Sequence, residues 1–172
     1  AMRLPFSEVF QEARSFSPSG ADWFPKDEVE CVGSPQVVMT AKRREKKVLL
    51  GGILRFAAIL PCDRCGKLVE YMVEEEFEYI FTVDENEAVE SAEMECSAED
   101  CLTVQLQQPV IDLDEILREQ VFLALPLKVL CDEGCRGLCP VCGAELQDEY
   151  CTCADKGRNR PFDVLKQLRK EK

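Results

Sequence analysis

Val48-Leu49-Leu50-Gly51-Gly52-Ile53-Leu54-Arg55-Phe56-Ala57-Ala58-Ile59-Leu60 runs into Pro61-Cys62-Asp63-Arg64-Cys65-Gly66-Lys67, and the chain resumes as Leu68-Val69-Glu70-Tyr71-Met72-Val73 and onward to Phe81. The first run is long, apolar and β-prone, and its two glycines read as a bulge or bend. The last alternates apolar and charged residues, with Val69, Tyr71, Val73, Phe77, Tyr79 and Phe81 on one side, as a half-buried strand does. Cys62 and Cys65 therefore sit at a turn between two strands. Upstream, Val37-Val38-Met39-Thr40 is another β-prone run, and the basic stretch Lys42 to Lys47 lies between it and Val48, so the pair reads as an antiparallel hairpin with a charged tip.

One helix stands out. Ile111 to Leu125 has an apolar stripe of Leu113, Ile116, Leu117, Val121 and Ala124. Asp112 is placed to cap it, Asp114 and Glu115 suit its N-terminal dipole, and Pro126 stops it. The expected class is α+β: an antiparallel β-rich body of hairpins, forming a sheet or partial barrel, with one main helix at about 112–125. Leu102 to Leu106 is a short strand candidate. The first thirty residues carry a break at Ser17-Pro18-Ser19-Gly20 and no clear assignment. Body 1–130, a cysteine-rich module 131–155 and a basic terminal helix 156–172 are the expected divisions, with Pro161 opening the short closing helix.

That module carries the strongest chemical signal. Cys131-x3-Cys135-x3-Cys139-x2-Cys142-x8-Cys151-x-Cys153 places six thiols within 23 residues of a chain that has eleven cysteines and no histidine. Short C-x2-C loops present two thiolates together, and zinc takes four at about 2.3 Å. A zinc knuckle is the leading reading. A secreted disulfide framework fits poorly, because the number of cysteines is odd and Met2 to Glu8 lacks the apolar core of a signal peptide; a reducing cytoplasm is expected. A thioredoxin-like pair fits poorly too, since Pro140-Val141 lies in a Gly/Pro-rich loop. The minimal site pairs Cys139 and Cys142 with Cys151 and Cys153. A second joins Cys62 and Cys65 to Cys131 and Cys135, and the competing arrangement partners Cys131 and Cys135 with Cys139 and Cys142.

At 172 residues and 46% hydrophobic the chain can bury one ordinary core, and no stretch approaches the roughly 20 apolar residues of a membrane span. The net charge of −12 opposes non-specific attraction to nucleic acid. Its distribution matters more than its sum. Gly66 to Gln120 holds seventeen acids against Lys67 and Arg118, and Asp84 to Asp100 reads as a mobile acidic loop whose Cys96 and Cys101 are incidental. Two islands are basic at +4 each: Lys42 to Lys47, and the tail from Ala154.

The order of hairpin, Cys62-x-Arg64-Cys65 turn, acidic loop, helix ending in Leu125-Pro126-Leu127, Cys139-Pro140-Val141-Cys142-Gly143, Cys151-x-Cys153 and Pro161-Phe162-x-x-Leu165 resembles the YceD family of large ribosomal RNA subunit accumulation proteins, from about Leu49 to Leu168. The resemblance implies a bacterial or plastid factor for accumulation or processing of large-subunit ribosomal RNA. Many members lack the C-terminal cysteines, which implies that the metal module stabilises rather than acts. Gly143-Ala144-Glu145-Leu146-Gln147 departs from the Gly-x-Asn-Leu-Asn that members often show there.

Two functions of different class follow. The first is a non-enzymatic ribosome-biogenesis factor, with zinc, in which the acidic segment meets a basic ribosomal protein of a pre-ribosomal particle. RNA contacts would come from Arg43, Arg44, Lys46 and Lys47, from Arg64, and from Arg158, Arg160, Lys166 and Arg169. The second is an enzyme, a metal-dependent nuclease or thiol oxidoreductase. It lacks histidine, a phosphate-binding glycine loop and a G-x-S-x-G elbow.

Overall fold

Residues 2–83, 103–147 and 151–155 are described by a computed structural model. The acidic segment 84–100 with Cys96 and Cys101, and the terminal helix with Arg158, Arg160, Lys166 and Arg169, lie outside the described residues. Two compact units result: Ala1–Leu60 with Glu70–Leu127, and Pro61–Val69 with the described residues from Lys128 onward.

In the first unit the strands are β1 (Arg3–Pro5), β2 (Arg14–Phe16), β3 (Cys31–Arg44), β4 (Lys47–Pro61), β5 (Leu68–Val83), β6 (Thr103–Leu106) and β7 (Val110–Asp112), followed by helix α1 (Leu113–Ala124). The last residue of β4 and the first two of β5 fall in the second unit. Strands β2-β3-β4-β5-β6 form one sheet in that order, with β2 and β6 at its edges, and β1 pairs with β7 in a second. The β3–β4 hairpin is antiparallel from Gln36↔Arg55 to Arg44↔Lys47, and Glu45, at φ 52, turns its tip. Contacts of Gly52 with Phe77 and of Arg55 with Glu74 set β5 antiparallel to β4.

The fold class is thus the α+β, β-rich one the patterning predicts, with differences that have identifiable causes. Strand β6 runs parallel to β5, from Ile80↔Thr103 to Val83↔Leu106, an arrangement that a long connection such as 84–102 permits and a tight turn forbids. The glycines at 51 and 52 make no bulge in the hairpin: Thr40↔Gly51 and Met39↔Gly52 are in register, and the shift falls between Val32 and Gln36. There Gly33 takes φ 75, and Pro35 has no N–H to give the ladder. What Gly52 does instead is leave room. A Cβ there would stand 2.6 Å from Cζ of the buried Phe77 ring and 3.1 Å from the Val38 carbonyl oxygen.

One core fills this unit. Met39, Val48, Leu50 and Leu54 from the hairpin, Val73, Phe77 and Phe81 from β5, and Ile111, Leu113, Ile116, Leu117 and Val121 around α1 are all buried together. The segment 20–30 joins them through Trp23 and Phe24, whose rings pack edge-on in series with Phe56. Asp112 caps α1 by accepting from the Glu115 N–H at 3.2 Å, and Leu113 donates its N–H to the Met2 carbonyl, tying β1 to the helix start. Gln120 interrupts the apolar stripe; it is buried, and its amide donates to the Tyr79 hydroxyl. The apolar stripe is core, as expected, with Ala124 partly buried at its end.

The adjacent glycines give a sharp test. Gly52→Ala forces the Phe77 ring to move in a packed core and is expected to destabilise by about 1–3 kcal/mol. Gly51→Ala meets only ordinary contacts, the nearest atom being 3.5 Å away, and is expected to change stability by less than about 1 kcal/mol. Urea unfolding midpoints of the two variants measure the contrast.

Candidate metal centres

Two hydrogen-bonded turns of the same design present the cysteines. In Cys62-Asp63-Arg64-Cys65-Gly66-Lys67, the Cys62 N–H donates to the Lys67 carbonyl and the Gly66 N–H to the Cys62 carbonyl, both at 2.8 Å. In Cys139-Pro140-Val141-Cys142-Gly143-Ala144, the Cys139 N–H donates to the Ala144 carbonyl at 2.8 Å and the Gly143 N–H to the Cys139 carbonyl at 2.9 Å. Each turn needs a left-handed residue just after its second cysteine, and Gly66 and Gly143 supply it at φ 75 and 76. Gly66 was the signal in the sequence that makes the first turn a knuckle equal to the second.

The remaining ligands are brought up by local bonds. Asp63 grips the segment before Cys131 from both sides: its N–H donates to the Val129 carbonyl at 2.8 Å, and its carboxylate accepts from the Val129 N–H at 2.7 Å. Asp132 turns the chain between Cys131 and Cys135 by accepting from the N–H groups of Gly134 and Cys135. Arg64 donates from Nη1 to the Cys135 carbonyl at 2.6 Å. The structure thus gives this expected RNA or partner contact a bond within the cysteine turn. The Leu146 N–H donates to the Gly137 carbonyl at 3.0 Å, and Leu138 bridges Glu145, so the second knuckle sits on a short pinned ribbon.

The result is two four-thiol groups, Cys62, Cys65, Cys131 and Cys135, and Cys139, Cys142, Cys151 and Cys153, each with all sulfurs within 4.8 Å of one another. Cys131 and Cys135 stand with Cys62 and Cys65 and not with Cys139 and Cys142. Nearest sulfurs are 3.5 Å (Cys65–Cys131) and 3.9 Å (Cys62–Cys135) apart in the first, and 3.3 Å (Cys139–Cys151) and 3.5 Å (Cys142–Cys151) in the second. Four sulfurs at about 2.3 Å from a tetrahedral ion lie about 3.8 Å from one another. The spacing therefore suits one metal ion per group. Four protein thiolates also leave a tetrahedral ion no open position. Cys62, Cys135 and Cys139 are buried, and Cys142 is exposed.

Proton affinities within each group are split. Burial opposes charge on Cys62, but the backbone N–H groups of Cys131, Arg64 and Cys65 and the Cys65 thiol bring it down to about 6. For Cys139 the N–H groups of Cys142 and Val141 lead, with the Cys151 thiol, and also bring it to about 6; the Val141 N–H is 3.4 Å from its sulfur. Cys131 is pushed up to about 12 by bonding to Cys135 and Cys65 and by burial. The Cys153 backbone N–H favours the Cys151 thiolate, yet sharing with Cys139 and Cys142 pushes that thiol up to about 12. Each group therefore sets a thiol that ionises readily, Cys62 or Cys139, beside one that holds its proton, Cys131 or Cys151, and must release protons to take a cation.

The sign of the pH dependence follows. Near neutrality a metal displaces protons from Cys131 and Cys151. Below about pH 6 it must also displace them from Cys62 and Cys139. Apparent metal affinity is expected to fall as pH falls, more steeply below about 6, in competition with a chromophoric chelator under reducing conditions.

Of the other expected contacts, Arg44, Lys46 and Lys47 are exposed at the β3–β4 tip, whereas the Arg43 side chain reaches back to the Phe6 and Glu45 carbonyls. On β5, Glu70, Glu75, Glu76 and Glu78 are exposed, and Glu74 pairs bidentately with Arg55 at 2.9 and 3.2 Å. No helix among the described residues is long and apolar enough to cross a membrane.

Residues 50–169, from β4 through both cysteine groups, match the family described as "Large ribosomal RNA subunit accumulation protein YceD". The chain is similar to "Large ribosomal RNA subunit accumulation protein YCED homolog 1, chloroplastic" of Arabidopsis thaliana, 29% identical over 160 residues that cover 81% of this chain and 50% of that protein. The protein of the same name in Zea mays is 29% identical over 145 residues, covering 72% of this chain and 49% of its own length. The chain spans about half the length of these relatives. No solved structure matches.

Proposed function

The chain belongs to the YceD family, and from that membership we propose that it is a non-enzymatic ribosome-biogenesis factor that supports accumulation or processing of large-subunit ribosomal RNA. The observation that carries this reading is the family match across 50–169, which takes in most of β4, all of β5, the helix and every ligand of both cysteine groups. An enzyme reading gains nothing from the site: an ion held by four thiolates has no position for an activated water or a substrate oxygen.

The metal in this proposal is zinc, whose preference for tetrahedral thiolate sets fits both groups, and its role is to hold the second unit together. The compartment is a reducing one, the bacterial cytoplasm, where thiols stay free to bind metal. On the protein side, strand β5 carries five glutamates and no lysine or arginine, a surface suited to a basic ribosomal protein. On the RNA side, the basic hairpin tip and the tail residues Arg158, Arg160, Lys166 and Arg169 are the candidate contacts.

Affinity purification of the tagged chain from growing cells tests the function. Large-subunit ribosomal RNA or its precursor is expected to be enriched over small-subunit RNA, together with large-subunit proteins, and equal recovery of both RNAs overturns the reading. Metal analysis of the reduced protein is expected to find about two zinc per chain. Cys139→Ser or Cys62→Ser is expected to lose one of them while the sheet of the first unit keeps its circular dichroism, because that unit has its own core.

A further inference from the structure

We propose that the end of the β3–β4 hairpin is a preformed groove for the phosphodiester backbone of single-stranded RNA. This deepens the ribosomal RNA reading above and rests on it for the identity of the polyanion. The groove is open, about 800 Å³ in volume, and walled by Gln11, by hairpin residues 42–47 and by Thr82 of β5.

Its shape is built by Arg43, which is a strut and not a free cation. The Arg43 N–H donates to the Phe10 carbonyl at 2.8 Å. Its guanidinium donates to the Phe6 and Glu45 carbonyls, both at 3.3 Å. The bonds to Phe10 and Phe6 tie the hairpin tip to the segment 6–10, and the bond to Glu45 braces Arg43 against the turn. The Arg14 guanidinium lies 3.6 Å over the Phe10 ring and fixes it from the other side. Gln11, the next residue, is thereby held as one wall.

Lys42, Arg44 and Lys47 supply the charge. Arg44 and Lys47 are directly paired across the hairpin, where two like charges oppose each other's presence. None of the three makes an ion pair among the described residues. An anion bound between them relieves that repulsion. The Gln11 amide and the Thr82 hydroxyl add neutral donors of the kind that phosphate oxygens accept. No aromatic ring among the described residues lines the groove, so these residues offer bases nothing to stack on and the recognition is of backbone rather than sequence.

Fluorescence anisotropy with a labelled oligouridylate of about ten nucleotides, using the whole chain, tests the groove. The triple variant Lys42→Gln, Arg44→Gln, Lys47→Gln is expected to weaken binding roughly tenfold or more and to lower the salt slope of the affinity by about 2, at about 0.7 for each phosphate no longer neutralised. A control with the same charge change elsewhere, Lys26→Gln, Lys67→Gln, Lys128→Gln, is expected to stay within about twofold of the parent. Gln11→Ala with Thr82→Val removes donors but no charge, and is expected to cost about threefold with an unchanged slope; this arm decides the matter if the triple variant does not fold. Absence of oligouridylate binding by the parent, an equal loss in the control, or displacement by polyglutamate as effective as by unlabelled oligouridylate each overturns the groove. Loss of groove binding is distinguishable from failure of the function. A groove triple that binds oligouridylate like the parent, in a chain that still enriches large-subunit RNA from cells, defeats the groove alone. Intact groove binding without that enrichment defeats the function alone.

Discussion

The second unit is governed by the geometry of thiols around a point. Among its described residues Val129 is the one buried aliphatic side chain, and the other buried side chains are Cys62, Cys135 and Cys139. So little apolar area cannot offset the chain entropy of ordering the loops that surround it. What remains is ligation: the turns, the Asp63 grip on Val129 and the Arg64 bond to Cys135 all set sulfur atoms where an ion can gather them. Those polar bonds aim the ligands, and an ion bound by them would supply the free energy.

The first unit obeys the opposite rule. Its hairpin, β5 and α1 close over a continuous apolar cluster from Phe6 to Val121, and its polar devices serve that packing. Asp112 satisfies the helix start, and Gln120 finds Tyr79. The lack of side chain at Gly52 is part of this packing, since the space above it belongs to Phe77. One chain therefore uses hydrophobic burial where strands are long and coordination where loops are short.

The parts legible in the sequence were those coded by neighbours. The alternation of β5, the capped stripe of α1 and the basic hairpin tip each depend on residues a few positions apart, and the structure has all three. The four-thiol groups were legible as pairs, because C-x2-C spacing is local. Their combination was legible as one of two arrangements, and the structure has the one that sets Cys131 and Cys135 with Cys62 and Cys65; what brings those residues together is Asp63 meeting Val129, 66 positions away, a contact that no periodicity reveals. The same reason hid the role of Gly52, set by Phe77 on another strand, and the place of Trp23 and Phe24, whose segment has no regular pattern but lies against Phe56. The parallel pairing of β6 is likewise a choice of partner and not of propensity. The bond from Arg64 to the Cys135 carbonyl was hidden for the same reason, since its acceptor is remote in sequence.

The first and second thiol groups share a short stretch of backbone. Cys135 belongs to one and Cys139 to the other, joined by Arg136-Gly137-Leu138, and Gly137 has room for no Cβ because the Arg64 carbonyl oxygen would lie 2.9 Å from it. An ion in the first group immobilises Cys135 and so restricts where Cys139 can wander, cutting the entropy that the second ion must overcome. By reciprocity the second ion does the same for the first. Ions held in both groups would thus be linked through three residues of backbone, each easing the other's binding without being required for it.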